Sequence, residues 1–288
     1  MKQQISFNGQ GAALRQPWRQ CITVGHAAEL LRADVREHLS RLQALAGFRH
    51  IRFHAIFSDQ MNVVRRLEDG SLRFQWSHVD KVYDTLLAMG LKPFVELNPM
   101  PTVLASTGQS IFSFEMNVSP PRDYGEWEAL VEAFTHHCVD RYGLEEVRSW
   151  YFEVWNEPNL KGFWGGSQEE YWKLYAHAAR AVKRVDDQLR VGGPASAGAE
   201  WIQEIIEYTE QAKVPLDFVS THRYPQDEQV LYPDPKERPN QPGRFFGEEV
   251  RRVHQVVQDS VRPDLEIHWT EWNSQSSDAD HPVTWGAN

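Results

Sequence analysis

Short apolar runs alternate with longer stretches of helical spacing along the whole chain. Strand-like runs fall at "QCITVG" (20–25), "HIRFHA" (50–55), "KPFVEL" (92–97), "WYFEVWN" (150–156), "LRVGGP" (189–194), "DFVSTH" (217–222) and "EIHWTEW" (266–272). The stretch "SHVDKVYDTLLAMG" places Val79, Val82, Tyr83, Leu86 and Leu87 on one helical face, with Ser77 as the expected N-cap and Gly90 as the residue just past the end. "SQEEYWKLYAHAARAVKRV" opens on a capping box, Ser167 and Glu170, and carries an apolar stripe through Tyr171, Leu174, Tyr175, Ala178 and Val182. Further helices are predicted near 29–46, 124–142, 199–211 and 246–260. Regular alternation of strand and helix predicts a parallel sheet built from βα units, an α/β fold of the (β/α)8 TIM-barrel type.

Two long connections break the rhythm, one after the third strand and one after the sixth. Both leave the C-terminal ends of strands, the face that carries the active site in a barrel, and read as cleft walls or lids. Only seven strands are found, and "HPVTWGAN" ends the sequence without room for an eighth βα unit. No repeat or low-complexity linker divides the chain. The expectation is therefore one barrel domain over 1–288, incomplete at its C-terminus. The first and seventh strands would then keep unpaired edges able to recruit another copy, giving a homo-oligomer.

Composition narrows the function. The 288 residues, 41% hydrophobic, supply one large core, and α/β barrels reach this size as a single domain. A formal net charge of −10 repels phosphate backbones and argues against nucleic acid as a partner. There is no run of about 18 apolar residues to cross a membrane. The start "MKQQISFNGQ" lacks a signal-peptide stretch, which points to the cytoplasm and leaves a secreted or periplasmic location as the alternative. Cys21 and Cys138 read as buried, inert thiols. Most of the 11 Trp are expected in the core, with some free to stack on sugars.

The strand ends carry the polar candidates: Gly25 and His26, Arg52 and His54, Glu96 and Asn98, Asn156 and Glu157, His222 and Tyr224, Glu271 and Asn273. Glu157 in "VWNEPN" and Glu271 in "HWTEWN" sit in Trp-rich, apolar surroundings, where a carboxyl costs free energy unless it is paired or keeps its proton. Two such groups in one cleft suit glycoside hydrolysis, one as the acid that protonates the leaving oxygen, the other ionised beside the anomeric carbon. Glu271 alone is ambiguous, because a strand-end carboxylate often just pairs with an arginine. Arg52 is the candidate, and such a pair would also keep a nucleophile ionised. Glu96 ranks below both as a structural partner. His54 and His222 read equally as satisfied rim histidines or as groups that recognise sugar hydroxyls. No metal-ligand spacing, phosphate-binding glycine loop or serine nucleophile elbow is found, so neither metal nor cofactor is expected. "HHC" (136–138) lies in a helix whose adjacent side chains diverge.

Taken in order, "IRFHAIFSD", "FVELNPMP", "FEVWNEPNLKGFW", "STHRYP" and "HWTEWNSQ" resemble family 39 of the glycoside hydrolases, the β-xylosidase and α-L-iduronidase group. The likeness runs from about residue 20 to 275. It implies a retaining mechanism with Glu157 as acid/base and Glu271 as nucleophile. It also implies Asn156 as donor to the sugar 2-OH, His54 and His222 as glycone-binding residues, Tyr224 as the phenol orienting the nucleophile, and Phe163 and Trp164 as walls of the site. Members of the family continue past this point with an eighth βα unit and usually a β-sandwich, and that segment adds sugar contacts. The resulting expectation is an exo-acting β-xylosidase on xylo-oligosaccharides. The alternatives are an α-L-iduronidase-like or endo-β-glycanase activity, or a non-catalytic sugar-binding remnant.

Overall fold

A computed structural model describes residues 15–224 and 245–273. Seven parallel strands lie side by side in chain order: β1 (Cys21–His26), β2 (His50–His54), β3 (Lys92–Leu97), β4 (Tyr151–Val154), β5 (Arg190–Ser196), β6 (Phe218–Arg223) and β7 (Glu266–Trp272). Helices α1 (Ala33–Ala46), α2 (Ser77–Ala88), α3 (Tyr124–Tyr142), α4 (Gln168–Val185), α5 (Ile202–Ala212) and α6 (Phe245–Asp259) connect them. This is the (β/α) barrel architecture, with seven strands in the main sheet among the described residues. Among the described residues no ladder joins β1 to β7. The two edges approach where Thr23 Oγ1 donates to the Thr270 carbonyl oxygen at 3.2 Å. The long connection after β6 lies mostly outside the described residues, as does the stretch from 274 onward.

Helix ends follow their local chemistry. Gly90, at φ 74°, takes the left-handed position that closes α2. Ser167 and Glu170 form the expected reciprocal cap of α4. Ser77 does not cap α2: it is the first helical residue, and Trp76 before it makes no side-chain cap. The helix expected over 29–46 is divided. A 3-10 turn, Ala27–Leu31, is held by Glu29 accepting from the His26 backbone N–H, and Arg32 adopts an extended conformation before α1 starts. Cys138 is buried as expected, whereas Cys21 is exposed, on β1, whose outer edge pairs with no strand among the described residues.

The main core lies between sheet and helices, where Trp127, Trp150, Trp155, Tyr171 and Tyr175 are fully buried. A second apolar layer fills the barrel interior: Phe94, Tyr151 and Phe218, with ring centroids 4.9–5.6 Å apart. Above it, towards the C-terminal ends of the strands, the interior becomes polar.

The inner layer fixes one glycine. A Cβ on Gly192 would stand 2.2 Å from the Phe218 carbonyl oxygen and 2.7 Å from the Phe218 ring. Gly192→Ala is therefore expected to destabilise the fold by about 3 kcal/mol, the upper range for an overpacked core. Urea unfolding checks this, and an unchanged midpoint would contradict the packing.

Candidate active site

The end of β4 departs from regular alternation. Tyr151 and Glu153 face the interior, so period two would put Trp155 there next. Trp155 instead takes a left-handed conformation at φ 73° and turns its indole into the helix layer. There Nε1 donates to the Phe163 carbonyl at 2.9 Å, and the ring packs edge-on against Trp127 and Trp164. Asn156 is thereby brought inward in its place. Glu157, at φ 47°, is also left-handed, and its N–H donates to the Ala195 carbonyl at 2.9 Å. Non-glycine residues in this region cost of order 1–3 kcal/mol each and collect at functional sites. Asn159 clamps the turn to the end of β5 through two 2.9 Å bonds with the Ala197 backbone.

β7 solves the same problem with a bulge. Thr221 pairs with Trp269 but His222 pairs with Glu271, so Thr270 is an extra residue on the strand. As a result Thr270 and Glu271, adjacent in sequence, both reach interior groups. Thr270 Oγ1 donates to Glu153 Oε1 at 3.0 Å, and Glu271 Oε1 accepts from Arg52.

Arg52, completely buried on β2, is the hub. Nε donates to Glu153 Oε2 at 2.6 Å and Nη1 to Glu271 Oε1 at 2.7 Å. Nη2 lies 2.7 Å from Glu96 Oε2 and donates to Asn156 Oδ1 at 2.9 Å. Because the guanidinium takes the amide oxygen of Asn156, the amide –NH2 keeps no partner among the described residues and is free to donate into the cleft. His54 Nδ1 sits 2.9–3.0 Å from both Glu96 oxygens, which leaves Nε2 on the side of Glu271 Oε1, 3.7 Å away. Tyr224 Oη donates to Glu271 Oε2 at 3.0 Å, so each oxygen of Glu271 has a fixed donor.

Of the two readings the sequence left open for His222, its position fits the satisfied histidine. It is fully buried, with Nδ1 3.0 Å from Glu157 Oε1 and Nε2 3.1 Å from Thr270 Oγ1. It does not line the cleft, and its ring meets the carboxylates from the buried side. Trp164 is likewise not a wall of the cleft: it is 3% exposed and wedged between Trp155 and Tyr171. Phe163, Asn156, Glu157, His54, Tyr224 and Glu271 do line one cavity of about 1540 Å³, which continues along the gap between β1 and β7. Sequence reading missed Glu153 and Thr270. For Glu153 the signal was present, an acidic residue two positions after an inward Tyr within an otherwise apolar strand.

The charges balance around Arg52. Burial alone would raise the Glu271 pKa, but the positive charges of His222, Arg52 and His54 hold it down at about 2. Burial opposes protonation of both histidines. The Glu271 charge and the Glu157 hydrogen bond nevertheless raise His222, and Glu96 raises His54. Two triads, His54–Glu96–Glu271 and Glu157–His222–Glu271, bring one ligand atom each to within 4.8 Å of one another, close enough to surround a cation. At the first, Arg52 already supplies the positive charge to both carboxylates.

These shifts set a pH window for stability. Glu271 is depressed, so its contribution is complete above the ordinary value of 4.5 and is lost as pH falls towards about 2. His54 and His222 are raised, so their contributions are complete below 6.5 and are lost as pH climbs through their folded values. The thermal midpoint is expected to peak where both are present, about pH 4.5–6.5. Calorimetry across pH 3–9 checks this, and a midpoint that keeps rising above pH 7 would contradict it.

Known proteins are similar to this chain over most of its length. The family model described as "Glycosyl hydrolases family 39" matches residues 1–285. A β-xylosidase of Caldicellulosiruptor saccharolyticus is 41% identical over all of this chain and 59% of its own length. One from Geobacillus stearothermophilus is 39% identical over 91% of this chain and 54% of its own. A crystal structure of a GH39 enzyme from Xanthomonas axonopodis pv. citri superposes with a TM-score of 0.84 at 37% identity, covering 93% of this chain and 53% of that one. The chain thus spans little more than half the length of these relatives. It belongs to family 39 of the glycosyl hydrolases.

Proposed function

We propose that this chain carries the catalytic machinery of a retaining glycoside hydrolase that releases xylose from β-xylo-oligosaccharides. One observation carries the reading: a carboxylate oxygen of Glu157 and one of Glu271 lie within 4.8 Å of each other, both beside Nδ1 of His222. A retaining pair stands about 5–5.5 Å apart, whereas an inverting pair needs about 6.5–9.5 Å to admit a water. The names of the Caldicellulosiruptor and Geobacillus relatives support β-xylose as the glycone.

In this reading Glu271 attacks the anomeric carbon and forms a glycosyl ester, while Glu157 delivers its proton to the leaving oxygen. Glu157 then takes a proton from water, which attacks the same carbon and releases the sugar with its configuration kept. A carboxylate held down at about 2 is ionised and ready throughout the neutral range. Arg52 on one oxygen and Tyr224 on the other keep one donor in place whichever oxygen forms the ester. The free amide of Asn156 donates to the sugar 2-OH, where a bond strengthens as charge develops at the ring. His54 presents Nε2 to a glycone hydroxyl. His222 acts behind the pair, holding Glu157 at a fixed distance from Glu271. The substrate is the partner this site calls for.

The test is product stereochemistry together with two variants. Proton NMR of the first turnovers on an aryl β-xyloside should detect β-xylose before the α anomer, and the α anomer appearing first would contradict the pairing. Glu271→Gln should abolish turnover. Glu157→Ala should lose about 10²–10⁴-fold on xylobiose, and azide should restore turnover of activated aryl xylosides with formation of β-xylosyl azide. Absence of the azide adduct would remove Glu157 from the acid/base role.

A further inference from the structure

The connection after β3 carries a small hairpin, Ser110–Ile111 paired with Met116–Asn117, whose turn places two phenylalanines at the cleft mouth. Phe112 is 51% exposed, unusual for a side chain of its size, and its backbone is left-handed at φ 61°. Phe112 is a turn residue directly after the strand Ser110–Ile111, and about half of its surface is left in water. Its ring stacks at 5.3 Å on Phe114, which stacks at 4.1 Å on His26 at the end of β1. On the other flank it meets Phe163 edge-on at 5.6 Å. The result is a row of rings across the mouth.

This row is rigidly supported. Asn117, buried in the second strand of the hairpin, donates to the Thr107 carbonyl at 2.8 Å and accepts from Ser119 Oγ at 2.7 Å. The Gly165 N–H donates to the Val118 carbonyl at 2.8 Å, which ties the hairpin to the segment that carries Phe163. Phe112, Leu160 and Phe163 line the same cavity as Glu157 and Glu271. Leu160 and Phe163 lie on the turn that directly continues Glu157, and the Leu160 N–H donates to the Glu157 carbonyl at 3.0 Å. A group that protonates the scissile oxygen has the leaving portion of the substrate on its own side. Contiguous exposed apolar surface bordering a polar cleft marks a ligand site, and aromatic faces suit the C–H faces of pyranose rings.

We propose that Phe112, with Phe163 and Leu160, forms the platform on which the leaving-group ring of the substrate rests, a pyranose or aryl ring joined through the scissile oxygen. The proposal rests on the glycosidase reading above. It makes Phe112 a determinant of which aglycone is accepted, acting apart from the carboxylates that break the bond.

The test compares xylobiose, which has a leaving ring, with β-xylosyl fluoride, which has none. In the full chain, Phe112→Ala should lower kcat/KM on xylobiose by about tenfold relative to kcat/KM on the fluoride, and Phe112→Trp should restore the ratio. An identical change on both substrates, or no change on either, overturns the platform. If the wild-type chain hydrolyses neither, the glycosidase reading is what fails. Calorimetric titration with xylobiose then decides the platform: weaker binding by Phe112→Ala supports it, while equal affinity or no binding by the wild type overturns it.

Discussion

The site depends on one buried cation. Arg52 has no contact with water, yet its three guanidinium nitrogens engage Glu153, Glu96, Asn156 and Glu271. Removing a charge from water costs several kcal/mol unless charged partners and hydrogen bonds replace the lost hydration. Here four groups from three other strands do so, and the planar fork of the guanidinium sets the angle between them. The same contacts that compensate Arg52 aim the Asn156 amide and keep Glu271 ionised. Loss of the guanidinium would leave three carboxylates facing one another in a low-dielectric interior, so stability and chemistry rest on the same atoms.

Regular strands cannot deliver these groups. Period two would turn Trp155 into the interior and leave either Thr270 or Glu271 outside. The left-handed turn at Trp155 and the extra residue at Thr270 break the alternation at the points where a polar group is needed. The surrounding structure bears the strain: Trp155 is held by its indole bond and by the rings of the helix layer, and Glu157 by its backbone bond to Ala195. Rigid apolar packing in the outer layer and polar precision at the rim are therefore one arrangement. The barrel provides the platform, and local irregularities point the side chains.

Much of this was legible in the sequence because it rests on periodicity. The span of β3 and that of β7 are those expected from the apolar runs, and the stripe of α4 is buried throughout. The strand-end rule brought Glu157, Glu271, Arg52 and Asn156 forward together. What stayed hidden was direction. The run 150–156 ends as a strand at Val154, since no composition signal marks the reversal at Trp155. His222 sits at the end of β6 as expected, but whether its ring faces sugar or core depends on the register of β7, which shifts at a bulge. Trp164 was expected as a wall of the site from the family resemblance, and it packs between Trp155 and Tyr171 instead. Glu153 escaped notice because a strand interior is read as apolar, although Arg52 on β2 was its waiting partner.

Every role assigned to the site depends on the charge state of Glu271. Its side-chain carboxyl can be followed by carbon-13 NMR in protein labelled at glutamate, with Glu271→Gln supplying the assignment. The carboxylate is expected to remain ionised until the pH approaches about 2. A carboxyl that takes up its proton near the ordinary value of 4.5 would contradict it, because Arg52 and the two histidines would then not be holding its charge.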